Sequence, residues 1–240
     1  PQKAARPAPA TPKTGSIPAI SLKKIETIPV PEGFTRTAEE PGSFAQWLRN
    51  IPLKEDNTVY LYNGEKKQNQ EAQYSVIDIE TGNKNLQQCA DAVMKLRAMY
   101  LFYKKAYSSI LFFDNEGKRY AFDEPFTQTH LNSYLERVFG MCGTASLSKQ
   151  MKKTTMQQME AGDAFVRGGF PGHAAIVVDM ATDGKGWKIY LLAQSYMPAQ
   201  DIHILKNPMN ETFSPWYELN NDEIIDTPEY TFKSNEIKAW

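Results

Sequence analysis

A cysteine and a histidine in this chain have the residue types and the surroundings of a nucleophile and its base. Cys89 lies in the first turn of the segment 85–107, which has helical periodicity. Backbone N–H groups and the dipole at a helix start stabilise a thiolate and lower the pKa of a cysteine. His173 opens an apolar segment directly after Pro171 and Gly172. A thiolate with an imidazole as proton carrier can attack a carbonyl carbon and release an amine.

A third residue and a rival nucleophile belong to the same hypothesis. Gln194 lies on the strand predicted after that of His173, and a side-chain amide there can hold the imidazole in one orientation and tautomer. Ser195 takes its place if the register shifts by one residue. Cys142 also precedes a predicted helix and is closer to His173 in sequence, but we favour Cys89 because its helix has the clearer periodicity.

An oxyanion formed by such an attack needs hydrogen-bond donors. The backbone N–H of Cys89 at the helix start is one candidate. The polar side chains of Gln87, Gln88 and Tyr74 are close enough in sequence to be considered as the second donor.

Each residue also has an ordinary structural interpretation. Cys89 shares a predicted helix face with Leu86 and Val93, and free cysteine is among the most buried residue types. His173 can be a simple strand residue with one ring nitrogen on a turn carbonyl. A catalytic cysteine has a lowered pKa, whereas a structural one is buried and inert, so thiol reactivity separates the two interpretations.

The elements that would position these residues fall into two groups along the chain. Hydrophobic periodicity predicts helices over 43–49, 85–107, about 129–139 and, less clearly, 143–158. Alternation and β-branched or aromatic content predict strands at 58–62 and 74–79, which could pair, a hairpin over 110–122, and strands at 163–167, 173–181, 187–195 and 201–205. Helices followed by a sheet indicate an α+β fold, with the helices packed on an antiparallel sheet.

Two further expectations concern residues outside the proposed triad. His203 alternates with Ile202 and Ile204 and is therefore expected on an exposed strand face. The aromatic residues near the end of the chain are either core or the lining of a ligand groove, namely Trp216, Tyr217, Tyr230, Phe232 and Trp240.

Composition excludes several classes of function. The chain has 240 residues, 41% of them hydrophobic and 23% charged, as in globular proteins. Lys and Arg (27) nearly balance Asp and Glu (28), so no global charge favours nucleic acid or an anionic membrane. No apolar run is long enough to span a bilayer. Two cysteines and three scattered histidines lack the spacing of metal ligands, so we expect no metal and no cofactor.

The start of the chain differs from the rest. Residues 1–20 are rich in Pro and Ala without an acidic or aromatic residue, which predicts a disordered tether before a single α+β domain over 21–240. Because the chain starts with Pro, we expect that an upstream piece has been removed or omitted, either an initiator Met, a signal peptide or a lipid-anchor signal. This favours an envelope protein, although a boundary inside a cytosolic linker would look the same.

The pattern from Gly162 to Ser195 resembles the NlpC-type branch of the papain-like cysteine peptidases and amidases. The resemblance implies Cys89 as nucleophile, His173 as base and Gln194 as third residue, although Ala90 and Asp91 follow the cysteine where the family commonly has Ser and Gly. It also implies a papain-like fold in which the hairpin 110–122 and the helix predicted over about 129–139 are insertions. The implied activity is hydrolysis of an amide bond in the cell envelope, with peptidoglycan peptides as substrates.

Two other interpretations stay open. The wording around Gly172 and Gln194 also resembles an uncharacterised family of envelope proteins from Bacteroides-like bacteria. A non-catalytic envelope protein on the same fold, binding a glycan or a protein, is the alternative to the hydrolase. Acyl transfer by a permuted relative would need a nucleophile after His173; no cysteine follows His173 in the chain, so Ser195 would have to serve.

Overall fold

The computed structural model describes residues 23–220 and 222–240, so the predicted tether over 1–20 lies outside the described residues. It shows a mixed α and β architecture with one large antiparallel sheet and a small number of helices. The predicted α+β class is therefore confirmed. Within the described part, no helix combines the length and the apolar character needed to cross a membrane.

Four α-helices lie in the described part, and their starts follow local capping chemistry. Ser43 caps the first helix by accepting a hydrogen bond from the Gln46 N–H at 3.1 Å. The second helix begins at Cys89 and not at 85, because the Asn85 side chain instead accepts from the Ala199 N–H. Cys89 is thus the first residue of its helix. The helices are α1 Phe44–Arg49, α2 Cys89–Tyr103, α3 Gln128–Met141 and α4 Thr144–Gln150.

The strands form one nine-stranded sheet and two separate hairpins. In chain order they are β1 Thr35–Arg36, β2 Gln73–Val76, β3 Leu111–Phe113, β4 Arg119–Ala121, β5 Lys152–Lys153, β6 Ala164–Arg167, β7 His173–Thr182, β8 Lys188–Gln194, β9 His203–Leu205, β10 Tyr217–Leu219, β11 Ile224–Asp226, β12 Thr231–Lys233 and β13 Ile237–Ala239. The order in the large sheet is β2-β9-β8-β7-β6-β13-β5, with β1 on β7 and β10 on β8. The hairpins are β3-β4 and β11-β12.

Most predicted strands are present, but one is wrong. The four strands predicted over 163–205 are β6 to β9, and the hairpin predicted over 110–122 is β3-β4. Residues 58–62 form only isolated bridges, because their backbone bonds to the connection between β8 and β9, as in Tyr62 N–H to Ala199 O. Consequently β2 pairs with β9 and not with this segment.

The central strands are buried on both faces. Nine of the ten residues of β7 are buried. Ile176 belongs to the core shared with the helices, whereas Val177 belongs to a second core with Phe165 and Phe232. Since successive side chains of a strand point to opposite faces, helices and C-terminal strands cover the two sides of one sheet. The ends of β7 and β8 are therefore held in place by packing on both faces of the sheet.

A buried carboxylate on β7 binds two arginines from the N-terminal elements β1 and α1. Asp179 in β7 is fully buried and accepts hydrogen bonds from Arg36 Nε at 2.7 Å and Arg49 Nε at 2.5 Å. Breaking one partner of a buried ion pair leaves an uncompensated charge. Asp179 therefore connects β1 and α1 to β7.

Candidate active site

Cys89 and His173 line the same cleft, which has a volume of about 550 Å³. The start of α2 supplies the cysteine and the start of β7 supplies the histidine. The remaining walls come from the loop 169–172, the start of α4, the residues after β8, and the turn before β12. The lining residues are Gln88, Cys89, Ala90, Asp91, Asn115, Phe139, Cys142, Gly143, Thr144, Ala145, Gly169, Phe170, Pro171, Gly172, His173, Tyr196, Met197 and Tyr230.

The Cys89 thiol is buried between a helix start and a strand start. Backbone N–H groups of Ala90 and Ala174 favour its thiolate, but burial outweighs them and raises the pKa of the thiol to about 11. The Asp91 carboxylate acts in the same direction as burial. The lowered pKa expected from the helix start is therefore wrong, because desolvation exceeds the effect of the backbone N–H groups. The Cys89 thiol is therefore neutral at pH 7.

The His173 ring is surrounded by aromatic side chains. Its centroid lies 4.7 Å from those of Tyr196 and Tyr230 and 5.6 Å from that of Phe232. Burial lowers the pKa of His173 to about 4, although its hydrogen bond to Gln194 opposes the shift. The imidazole is therefore uncharged at neutral pH.

Gln194 holds one nitrogen of this ring. The register of β7 and β8 pairs Ile176 with Ala193, so residues 173 and 194 are diagonal neighbours on one sheet face. Gln194 Oε1 lies 2.7 Å from His173 Nε2. Because an amide oxygen only accepts hydrogen bonds, the proton is on Nε2 and Nδ1 is the basic nitrogen. Ser195 faces away, and its hydroxyl donates to the carbonyls of Gln87 and Gln200.

The Cys89 thiol and the His173 ring line the same cleft but are not hydrogen-bonded to each other in the described part of the chain. Among residues 23–220 and 222–240, no hydrogen bond joins the Cys89 thiol to His173, and the nearest backbone donor on β7 is Ala174, the next residue. The structure thus places all three predicted residues at one site, with the His173–Gln194 contact formed.

Cys142 lines the same cleft from another element. It follows α3 directly as its C-terminal cap, and burial raises the pKa of its thiol to about 11. The groups beside the Cys142 thiol that shift its pKa are Asp114, Asp91 and Ser146. The Cys89 thiol instead has a neighbour on β7, the backbone N–H of Ala174, which is the residue after His173. Both cysteines are free thiols.

Of the three side chains considered as oxyanion donors, Gln88 is the one that lines the cleft. It directly precedes Cys89. Gln87 is bonded elsewhere, since its Nε2 donates to Gln200 O at 3.1 Å and its Oε1 accepts from Lys95 at 2.6 Å. Tyr74 lies on β2, outside the lining.

Three residues near the site were missed or misjudged from sequence. Gln194 Nε2 donates to Glu229 Oε2 at 2.9 Å, and Lys67 Nζ donates to the same oxygen at 2.5 Å. Neither charged residue is close to the triad in sequence, so no local signal indicated them. His203, expected to be exposed, is fully buried opposite Gln194 in β9 and bonded through Nδ1 to Asp201 O. The expectation was wrong because both faces of the sheet are covered, so the alternation of side chains along β9 leaves neither set exposed to solvent.

A family model described as "Domain of unknown function (4846)", DUF4846, matches residues 25–129 and 121–239. The chain belongs to this family. No curated protein and no solved structure matches this DUF4846 chain. The first matched segment contains Cys89, and the second contains His173 and Gln194. Within the described residues, no three His, Cys, Asp or Glu side chains are grouped as metal ligands would be.

Proposed function

We propose that this DUF4846 domain is a papain-like cysteine hydrolase of the NlpC type that cleaves an amide bond. The observation that carries the proposal is the convergence, in one cleft, of a thiol at a helix start and an imidazole whose proton points to an amide oxygen. Peptidoglycan peptides as substrates, and the cell envelope as location, follow from the resemblance over residues 162–195.

The reaction follows from the positions of these groups. As Cys89 sulfur attacks the carbonyl carbon, its proton passes to His173 Nδ1, and the carbonyl oxygen gains the negative charge. In this reaction the Cys89 N–H and the Gln88 side-chain amide are the donors that bind that oxygen. The imidazolium then protonates the leaving nitrogen as the C–N bond breaks, which leaves a thioester. Water, deprotonated by the neutral ring, hydrolyses the thioester and restores the thiol.

The protonation states of Cys89 and His173 before the substrate binds determine how the reaction begins. Since burial raises the pKa of Cys89 and lowers that of His173, both groups are neutral at pH 7. Proton transfer therefore accompanies the attack on the substrate and does not precede it. Hydrogen bonds between catalytic groups are often long in empty sites and tighten when the substrate binds.

The test compares the two cysteines of the cleft. Purified muropeptides with defined stem peptides are incubated with the parent protein, Cys89→Ala, Cys142→Ala and His173→Ala, and products are identified by mass spectrometry. We expect Cys89→Ala and His173→Ala to lower the rate at least about 10³-fold, because they remove the nucleophile and its base. Cys142→Ala is the matched control and should stay within about threefold of the parent. A loss confined to Cys142→Ala would contradict the proposal.

A non-catalytic binding protein is the second candidate, and one observation favours it. The thiol is buried and neutral, and it has no hydrogen bond to His173 among the described residues. In that case Cys89 reacts with iodoacetamide at the same slow rate in the parent and in His173→Ala. Muropeptide binding, measured by calorimetry, would then survive in Cys89→Ala without any cleavage in the parent.

A further inference from the structure

A buried ion pair lies directly behind the third residue of the site. Glu229, in the turn between β11 and β12, accepts from the Gln194 NH₂ group at 2.9 Å and from Lys67 Nζ at 2.5 Å through one oxygen. Asn69 Nδ2 donates to its other oxygen at 3.1 Å. The Lys67 and Glu229 side chains are only 8% and 13% exposed. Solvent therefore screens these contacts weakly.

We propose that Glu229 is the positioning residue that determines which nitrogen of His173 carries the proton. An ionised carboxylate has no hydrogen to donate, so it binds only the NH₂ end of the Gln194 amide. The oxygen end is thereby turned to His173, where it can only accept. The imidazole then has to donate from Nε2, which leaves Nδ1 as the base.

The opposite orientation of the amide has a clear electrostatic cost. Rotating it by half a turn would place Gln194 Oε1 against Glu229 Oε2, two acceptors at hydrogen-bond distance. It would also point the NH₂ group at His173 and move the ring proton to Nδ1. In that tautomer the ring cannot accept a proton from a thiol in the cleft. The side chain of Gln194 has two hydrogen bonds in the described part of the chain, to His173 and Glu229, so Glu229 decides between the orientations.

Lys67 has a supporting role in this arrangement. Burial lowers the pKa of Lys67, whereas Glu229 opposes that shift, as in a mutually stabilised pair. Replacing a buried ion pair by apolar side chains of similar size is often tolerated, while removing one charge leaves the other uncompensated. This difference makes it possible to remove Glu229 without leaving a buried charge.

The experiment reads the ring tautomer directly by ¹⁵N–¹H correlation NMR of histidine-labelled protein at pH 7, with His173 assigned by His173→Gln. The parent is expected to show a pyrrole-like Nε2 and a pyridine-like Nδ1. Asn69→Ala, which removes only the donor to the other oxygen of Glu229 and keeps the Lys67–Glu229 ion pair, is the matched control and should show the same single tautomer. Lys67→Met/Glu229→Met should show both tautomers, because the amide is then free to turn.

Two results would overturn the inference: an Nδ1–H tautomer in the parent, or a single Nε2–H tautomer in the double variant. An Nδ1–H tautomer in the parent would overturn the inference even if a variant did not fold. Only the catalytic meaning of this role rests on the proposed function, for which we expect the double variant to lower kcat at least about tenfold with KM unchanged. If the parent cleaves no muropeptide, the proposed function fails while the tautomer assignment is still decided by the spectra.

Discussion

Phe170 stands out among the residues of the cleft because it is 97% exposed. It lies on the rim beside Pro171, and Met197, which is 56% exposed, lies on the rim as well. Exposed apolar groups around a cleft are typical of a surface that a ligand covers. Among the described residues, the lining has one acidic side chain, Asp91, and no Lys or Arg. The rim therefore suits a substrate with an apolar group next to its scissile amide.

We expect Phe170→Ser to raise KM for muropeptide cleavage about 3- to 30-fold without changing the melting temperature, because the side chain contacts solvent and not the core. Steady-state kinetics and thermal unfolding check both parts. Tyr103→Ser, at the far end of α2 and 67% exposed in the parent, is the control and should leave KM unchanged. Equal effects of the two substitutions would contradict a substrate role for Phe170.

Residue types and spacing select Cys89 and His173, which line one cleft, and Gln194, which is hydrogen-bonded to the His173 ring. They do not indicate how deeply each group is buried, and burial is what raises the pKa of Cys89 above its usual range. Glu229 is also beyond reach of the sequence, because its contact with Gln194 spans 35 residues and depends on how the C-terminal strands cover the sheet.

At the scale of elements, the loop between β6 and β7 is held tightly against α4. A Cβ atom added to Gly172 would lie 2.4 Å from Thr144 Oγ1, 2.5 Å from Gly169 O and 2.7 Å from Arg167 O. Real atoms do not approach so closely, so only glycine fits between these groups. The loop carries Phe170 and leads directly into His173, so its packing positions both.

Gly172→Ala is therefore expected to shift the loop, to lower the free energy of unfolding by about 1–3 kcal/mol and to slow cleavage. Gly140→Ala in α3 is the matched control, since its added Cβ meets nothing within 4 Å. That change should leave cleavage unaltered and stabilise the helix by up to about 1 kcal/mol. Denaturant unfolding and muropeptide kinetics on both variants provide the check, and an unaffected Gly172→Ala would show that the loop has room to adapt.

Local pattern predicted the central helices and strands well and their partners less well. The periodicity over 85–107 indicates α2. It does not show that the Asn85 side chain accepts a hydrogen bond from the Ala199 N–H, so that the helix begins four residues later, at Cys89. The β-branched and aromatic content of 58–62 is typical of a strand, yet contacts with the connection after β8 use its backbone groups. Strand propensity depends on such tertiary contacts.

At the scale of the whole molecule, two buried histidines link folding to pH. Burial lowers the pKa of His203 from 6.5 to about 3 and that of His173 to about 4. The unfolded chain takes up protons on both below pH 6.5 while the folded protein does not, so stability falls as the pH drops from 6.5. Asp91, with a pKa raised to about 8, acts in the opposite direction, because its folded form binds the extra proton.

Removing one histidine isolates its share of this dependence. Between pH 6.5 and 4.5 we expect the parent to lose about 2–3 kcal/mol more than His203→Asn, in which the Asn amide can still donate to Asp201 O. Urea unfolding at several pH values measures the difference. His130→Asn, in α3, is the control and should follow the parent. Parallel curves for the parent and His203→Asn would contradict the linkage.

The class of the fold, with helices before the main strands, was predictable, whereas the order of strands in the sheet was not. Chain order predicted neighbours for β6 to β9, but β13 inserts between β6 and β5, far away in sequence. Such pairings depend on which strand edges and apolar surfaces the other elements leave exposed. A short stretch of sequence does not contain that information.

The insertion of β13 also has a consequence for how the protein is made. A ribosome that has released the chain through β9 has produced Cys89 and His173, but not the strand that joins Phe165 to Lys153 through Ile237 and Lys238. Tyr230 and Phe232, which cover His173, emerge in the same late interval. Contacts between such distant segments form slowly. The site is therefore completed only after residues 230–238 have been made, so a shorter growing chain carries its thiol and imidazole without a finished cleft.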